Sequence, residues 1–245
     1  FIILMKNSKN SFSKSIRIWT NRHRKSLRIV KDSMFGTSRT FFMSFGLIGF
    51  IIGSPGAALA ATLPTGAEVV HGQVELQNPS SDAMRIIQSS QSAIVNWQSF
   101  DIGHGALVDI IQPNIDAAML SRVVGSNLSE IHGSLNANGH LYLINPNGIL
   151  FGPDSQINVH ALIASTLDIA DSAFLSGNIS LSGDSDASVM NLGSIHADEF
   201  AALIGGNVEN AGSIISESGS VGLLASETTF EIGEASGGVI TLDIL

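Results

Sequence analysis

The side chains that could do chemistry in this sequence are carboxylates in Gly- and Ser-rich stretches. Asp184 lies close to Asp186, and Asp198 is followed directly by Glu199. Paired carboxylates can act as acid and base in glycoside cleavage, or as ligands of calcium. Acids in stretches of this composition are more often solvated turn residues, so we expect neither role here.

Histidine could supply a general base or a metal ligand, but its spacing argues against both. None of the histidines after residue 60 forms a His-Glu-x-x-His or His-x-His pattern: His71, His104, His132, His140, His160 and His196. The sequence has no cysteine, no Gly-x-Ser-x-Gly and no Gly-rich phosphate loop. We therefore expect surface histidines, no cofactor, no metal and no enzyme.

Charge divides the chain near residue 60. Residues 1–60 contain ten basic side chains and one acid, whereas the remainder contains two arginines, Arg85 and Arg122, and twenty acids, a balance of 2 − 20 = −18. So acidic a surface repels phosphate backbones, which excludes nucleic acid as a partner. It also lacks the cations that a lyase acting on an acidic polymer would need.

The basic segment has the organisation of an export signal. An apolar run at residues 41–52 follows it, then a Gly/Pro break and the small residues Ala58, Ala60 and Ala61. The run is shorter than the roughly 20 residues that span a bilayer. We therefore predict that residues 1–60 are an extended signal peptide cleaved after Ala60 or Ala61. A membrane anchor is the alternative.

Residues 61–245 are predicted to be all-β. Their apolar residues come in short runs separated by Gly, Asn, Asp, Ser and Pro, which is typical of strands and turns. Helical spacing occurs only at residues 81–89 and 117–124. The chain lacks an initial Met and stops within an apolar alternation, so we expect a fragment that ends on an uncapped strand at residues 239–245.

An internal repeat specifies the architecture further. Residues 191–195 (NLGSI) return as 210–214 (NAGSI), and residues 201–205 align with 221–225, which implies one inserted loop residue. A period near 20 suits a leucine-rich repeat or a parallel β-helix, and the leucine consensus is missing. We predict roughly nine coils, with glycines of positive φ at the corners and inward ladders of Ile195, Leu203, Ile214 and Leu223. A β-sandwich, the alternative, does not explain the repeat.

Five blocks in order then carry a family resemblance: residues 93–103, 112–114 with 121–125, 131–139, 143–152 and 164–169. They resemble the two-partner secretion, or haemagglutination-activity, domain of filamentous-haemagglutinin-like exoproteins, nearest the high-molecular-weight adhesins. The resemblance implies a right-handed parallel β-helix with an N-terminal cap over residues 61–245. It also implies unfolded export and recognition by the periplasmic POTRA domains of an Omp85-type outer-membrane transporter.

One family motif is matched by Asn145, Pro146, Asn147, Gly148 and Ile149, and a second only loosely by Gln112, Pro113, Asn114 and Ile115. Pro presets φ at the second position of a turn, Asn caps the turn and Gly closes it. Such a turn can form in an unfolded chain. Two roles remain open: recognition by the transporter with nucleation of the first coil, or a purely structural corner.

The resemblance implies a secreted or cell-surface protein whose missing C-terminal part contacts a host or neighbouring cell. An adhesin is the first hypothesis. A contact-dependent toxin, a haemolysin and a haem-scavenging exoprotein are alternatives, and a polysaccharide-degrading β-helix enzyme is a further one. The absence of cysteine suits a chain that crosses the oxidising periplasm unfolded.

Overall fold

The computed structural model describes residues 2–6, 62–225, 230–235 and 239–244. Ala58, Ala60 and Ala61, the predicted cleavage residues, lie outside these ranges, as does most of the predicted signal peptide. The strands are β1 Ile2–Lys6, β2 Glu68–His71, β3 Val74–Ser80, β4 Ala83–Gln88, β5 Ser92–Trp97, β6 Leu107–Ile111, β7 Ala118–Val123, β8 Ser129–Ile131, β9 Ser134–Ile144, β10 Ile149–Phe151, β11 Gln156–Ser165, β12 Asp168–Ile169, β13 Ile179–Ser182, β14 Ser188–Asn191, β15 Ser194–Gly205, β16 Asn207–Asn210, β17 Ser213–Ser216, β18 Ser220–Ala225, β19 Phe230–Ala235 and β20 Val239–Ile244; one helix, α1, covers Asp171–Leu175.

The described chain winds into a three-sided parallel β-helix. Face A contains β4, β6, β17 and the first halves of β9, β11 and β15; face B contains β5, β7, β18 and the second halves of the same long strands. Face C contains β8, β10, β14 and β16. The predicted parallel β-helix is therefore confirmed.

The solenoid has about six coils, and the expected nine is wrong. Coil length varies. Gln156 pairs with Ser194, which lies 38 residues further along the chain, whereas Ser194 pairs with Ser213, which lies only 19 residues further. The long coil contains an insertion, and residues before β4 form a cap instead of coils, with β2 antiparallel to β5 and β3 antiparallel to β4. The period of 20 therefore holds only for the last two coils.

Within those coils the predicted register is confirmed. Ile195 pairs with Ile214, and Leu203 pairs with Leu223. All four contribute to the apolar core inside the solenoid. Between the two paired stretches the later coil holds one more residue, as the repeat predicted.

Face B is apolar on both sides, which explains its nearly uninterrupted apolar runs. Leu141 and Leu143 point into the solenoid core, whereas Tyr142 and Ile144 belong to a second apolar cluster outside it. The insertion between β11 and β14 supplies Phe174 and Leu181 to that outer cluster. Its β12 and β13 join β19 and β20 in an antiparallel sheet.

The structure corrects three local expectations. The two stretches with helical spacing are strands β4 and β7, because their apolar residues face cores on a sheet. β20 is not a terminal coil, since it pairs antiparallel with β19. Gly193 and Gly212 do not have positive φ; a Cβ at Gly212 would lie 2.1 Å from the carbonyl oxygen of Gly193, so close stacking of coils requires glycine there.

In the part of the chain that the structure describes, no helix has both the length and the apolar composition of a membrane span.

Candidate functional site

The predicted motif forms the corner between faces B and C in the third coil. The amide N–H of Gly148 donates to the carbonyl of Asn145 at 3.0 Å, which closes a four-residue turn. Within the turn, the Asn145 side-chain oxygen accepts the backbone N–H of Asn147 at 2.9 Å. Gly148 has φ 114°, a conformation that favours glycine. We call residues 145–148 the Asn145 corner.

The Asn145 side chain is completely buried and ties the corner to the coil before it. Its Nδ2 group donates to the carbonyl of Asn127 and to Oγ of Ser129, both at 3.0 Å. The backbone N–H of Asn145 donates to the carbonyl of Ser165 in the coil after it. Asn145 therefore holds three consecutive coils in register, and in the folded chain its side chain is inaccessible to a partner.

Only the tip of the corner faces solvent. Pro146 and Asn147 are exposed, whereas Gly148 and Ile149 are buried. Asn147 donates from Nδ2 to the carbonyl of Gly125 at 2.9 Å, and Ser185 donates from Oγ to the carbonyl of Pro146 at 2.6 Å. The tip is thus fixed by neighbours on both sides while its outer surface stays free.

An acidic groove lies beside this tip. It has a volume of about 680 Å³ and is open to solvent; Pro146 and Asn147 line it together with the carboxylates of Asp101, Glu130 and Asp186. Asp101 accepts the backbone N–H of Glu130 at 2.9 Å. A ligand for this groove would present cationic or amide hydrogen-bond donors.

The second predicted motif forms a different turn, on the loop between β6 and β7. Gln112 is 4% exposed, and its Nε2 group donates to the carbonyl of Ala117 at 2.8 Å. Asn114 accepts the N–H of Asp116 at 3.0 Å, while Pro113 and Ile115 are exposed. The two motifs thus share the asparagine turn chemistry, but they lie at different corners of the solenoid and do not converge on one site.

The acids considered for catalysis are divided between two places. Asp184 and Asp186 are exposed in the loop before β14. Asp198 and Glu199 lie at the bulge of β15, next to two histidines: Glu199 Oε2 is 3.2 Å from His140 Nε2 and 3.5 Å from His160 Nε2. Surface histidines were expected, and this expectation is wrong for His140 and His160, whose side chains are only 14% and 16% exposed. His160 directly precedes Ala161, the residue that pairs with His140 in the next coil, and this step of 21 residues was not given by the predicted repeat.

Sequence reasoning also missed the function of Arg122. This side chain is only 14% exposed; its Nε donates to Asp168 Oδ1 and its NH2 lies near Asp171 Oδ1, both at 2.8 Å. Burial favours the neutral guanidine, but hydrogen bonds and charge from Asp168 and Asp171 outweigh it and raise the pKa of Arg122. Arg122 therefore fastens the insertion to face B.

Comparison with known proteins assigns the fold to a family. The family model described as TPS secretion domain matches residues 60–242. The chain belongs to the TPS secretion domain family. A TPS domain directs two-partner secretion, in which a cognate outer-membrane transporter exports the exoprotein to the cell surface or the medium.

Solved structures agree with this assignment. The HMW1 secretion domain from Haemophilus influenzae has a TM-score of 0.67 and 34% identity, covering 74% of this chain and 48% of that one. The filamentous hemagglutinin secretion domain has a TM-score of 0.50 and 15% identity, covering 71% of this chain and 65% of that one, a likeness that shows the fold alone. The predicted family resemblance is thereby confirmed.

Two curated relatives, both Heme/hemopexin-binding proteins of Haemophilus influenzae, are 43% identical over 116 residues and 36% identical over 166 residues. These matches cover 46% and 64% of the TPS domain chain, but only 12% and 18% of the relatives' lengths. The matched proteins are thus two secretion domains and two Heme/hemopexin-binding proteins.

Proposed function

We propose that this TPS domain delivers a surface-exposed adhesin to an Omp85-type transporter, whose periplasmic POTRA domains recognise the tip of the Asn145 corner. The observation that carries the proposal is the difference in burial among the four residues of the corner. Asn145 and Gly148 are buried and build the turn, whereas Pro146 and Asn147 are exposed beside the acidic groove.

The corner suits a signal that must work before the chain has folded. Two of its hydrogen bonds, from the N–H groups of Asn147 and Gly148 to Asn145, need no other coil. Pro146 further restricts the unfolded chain to turn-compatible φ values. A transporter can therefore bind the turn in the periplasm, and the adjacent coils can stack on it at the cell surface.

The acidic charge of residues 61–245, which the unfolded chain also carries, supports the same role. In the folded chain, Asp101, Glu130 and Asp186 place three carboxylates around the exposed tip. Complementary charge accelerates encounter and selects partners more than it raises affinity. Basic residues on the periplasmic part of the transporter are the complement expected.

The test compares the Asn145 corner with a second four-residue turn that is closed by the same kind of backbone hydrogen bond. Gly152, Pro153, Asp154 and Ser155 form a turn closed by the Ser155 N–H and the Gly152 carbonyl at 3.0 Å, with Pro153 and Asp154 exposed. In cells carrying the transporter, Pro146→Ala with Asn147→Ala should lower the amount in the medium and leave periplasmic export intact. The matched pair Pro153→Ala with Asp154→Ala should secrete normally.

Equal secretion by both double variants would contradict recognition at the Asn145 corner and leave it a structural turn. Family membership would be unaffected by that result.

A second candidate function is delivery of a haem-scavenging exoprotein, which the two Heme/hemopexin-binding relatives favour. Hemin binding by cells that secrete the complete gene product would distinguish it from the adhesin, which should bind host or neighbouring cells without hemin. A toxic C-terminal segment in that product would favour the contact-dependent toxin or haemolysin.

A further inference from the structure

Three polar side chains from successive coils meet at the junction of faces A and B. His140 comes from β9, His160 from β11 and Glu199 from β15. The two histidine side chains are 14% and 16% exposed and Glu199 is 30% exposed, so the cluster is largely shielded from water. The rings of His140 and His160 are stacked with centroids 5.7 Å apart.

Two of the three donor-atom separations are those of a metal site. Zinc binds imidazole nitrogen and carboxylate oxygen at about 2.0–2.2 Å in tetrahedral geometry, which places neighbouring ligand atoms about 3.3–3.6 Å apart. Glu199 Oε2 lies 3.2 Å from His140 Nε2 and 3.5 Å from His160 Nε2, and all three donors are within 4.8 Å of one another.

A fourth side chain provides an independent indication. Asp198 Oδ2 lies 3.4 Å from Nδ1 of His160, on the opposite side of the ring from Glu199. A carboxylate in this position holds the proton on Nδ1 and leaves Nε2 unprotonated, as in the carboxylate–histidine–metal arrangement of zinc proteins.

We propose that His140, His160 and Glu199 bind one divalent transition-metal ion of the zinc class, with water in the fourth position and Asp198 orienting His160. Two imidazoles and one carboxylate favour zinc, nickel or copper over calcium and magnesium, which prefer oxygen ligands. Because the ligands come from three coils, the site exists only once those coils have stacked. The metal therefore stabilises the folded solenoid and not the unfolded chain in transit.

The test uses the purified full chain after chelator treatment and dialysis. Isothermal titration with zinc should show one site per chain, and zinc should raise the melting temperature where magnesium and calcium do not. Cobalt in place of zinc should give the visible absorption of a tetrahedral ion. Glu199→Gln and the His140→Ala, His160→Ala double variant should lose the site.

Asp198→Asn should weaken zinc binding by about 10- to 100-fold without removing it, as expected for a residue that orients a ligand. His196→Ala and His104→Ala are the matched controls, because these histidines face Glu217 and Asp154 at the surface; both should bind zinc normally.

Because Glu199→Gln and Asp198→Asn conserve side-chain size, they test the site even if the double histidine variant fails to fold. Zinc affinity that is the same in Glu199→Gln as in the unaltered chain, or no rise in melting temperature, would overturn the proposal and leave a histidine–carboxylate ion pair only.

Discussion

At the scale of single residues, Asn145 shows how one buried amide can organise a corner. Its oxygen accepts the backbone N–H and the side-chain Nδ2 group of Asn147, and its nitrogen donates to Asn127 and Ser129. Buried amides are costly unless their hydrogen bonds are made. The fully bonded Asn145 therefore specifies one register between coils, since a shifted register would leave it unpaired.

This predicts a separation between stability and secretion. Asn145→Ala should lower the free energy of unfolding by about 2–3 kcal/mol, because it deletes four side-chain hydrogen bonds and leaves the buried Ser129 hydroxyl without this partner. Asn147→Ala should cost under about 1 kcal/mol, since Asn147 is exposed. Urea unfolding followed by circular dichroism gives both values. If both variants are equally destabilised, Asn147 also builds the corner and any loss of secretion reflects folding.

At the scale of elements, the insertion β12–α1–β13 is a lid on the outer surface of face B. The outer apolar cluster joins Phe174 and Leu181 of the insertion to Tyr142 and Ile144 of face B. Arg122 fastens the lid at its edge, since its NH2 also donates to the carbonyl of Ile169 at 2.6 Å. Without the lid, face B would expose its apolar side chains to water.

Replacing Arg122 should loosen this lid. We expect Arg122→Ala to reduce stability by about 1–3 kcal/mol, the range for hydrogen bonds to charged groups, discounted because Asp168 and Asp171 are 49% and 43% exposed. Arg122→Lys should recover part of this, because a compact ammonium lacks the guanidinium's separate nitrogens, which reach Asp168 from Nε and Asp171 and Ile169 from NH2. Hydrogen exchange should accelerate in β12 and α1 and remain slow in β9. Unchanged exchange in the lid would contradict its fastening by Arg122.

The raised pKa of Arg122 sets the pH range of this effect. A base whose pKa is higher in the folded chain contributes its stability below the unfolded-state pKa and loses it only as the pH rises through the folded-state pKa. Arg122 therefore stays positively charged across neutral pH, and its contribution to the fastening of the lid weakens only in strong alkali.

At the scale of the whole molecule, a solenoid is stabilised by contacts between neighbouring coils, so its open ends need protection. The first coil is closed by antiparallel strands, β2 on β5 and β3 on β4. Leu63 and Val74 of this cap pack against the solenoid core.

Removing the cap should therefore cause association. Deletion of residues 62–80 exposes the unpaired edges of β4 and β5, and such edges pair with other chains. We expect a lower melting temperature and concentration-dependent oligomers in light scattering. Leu76→Lys, an exposed cap substitution, is the control and should remain monomeric. A monomeric deletion variant would show that the cap is dispensable.

The sequence by itself determined the repeating architecture and its local chemistry. The spacing of residues 191–195 and 210–214, and of 201–205 and 221–225, predicted the coil register, because residues that stack in neighbouring strands recur at a nearly constant step where no long loop is inserted. The turn at Asn145 was predictable for a similar reason: Asn, Pro and Gly act on their own backbone, within four residues.

Only the tertiary structure decided which side chains meet between coils of unequal length. The 38-residue step from Gln156 to Ser194 interrupts the period, so sequence separation no longer gave the position of Glu199 beside His140 and His160. Sequence separation also did not predict the contact of Arg122 with Asp168 and Asp171, or the burial of face B on both sides. Such contacts depend on the path of the insertion through space, which no local pattern encodes.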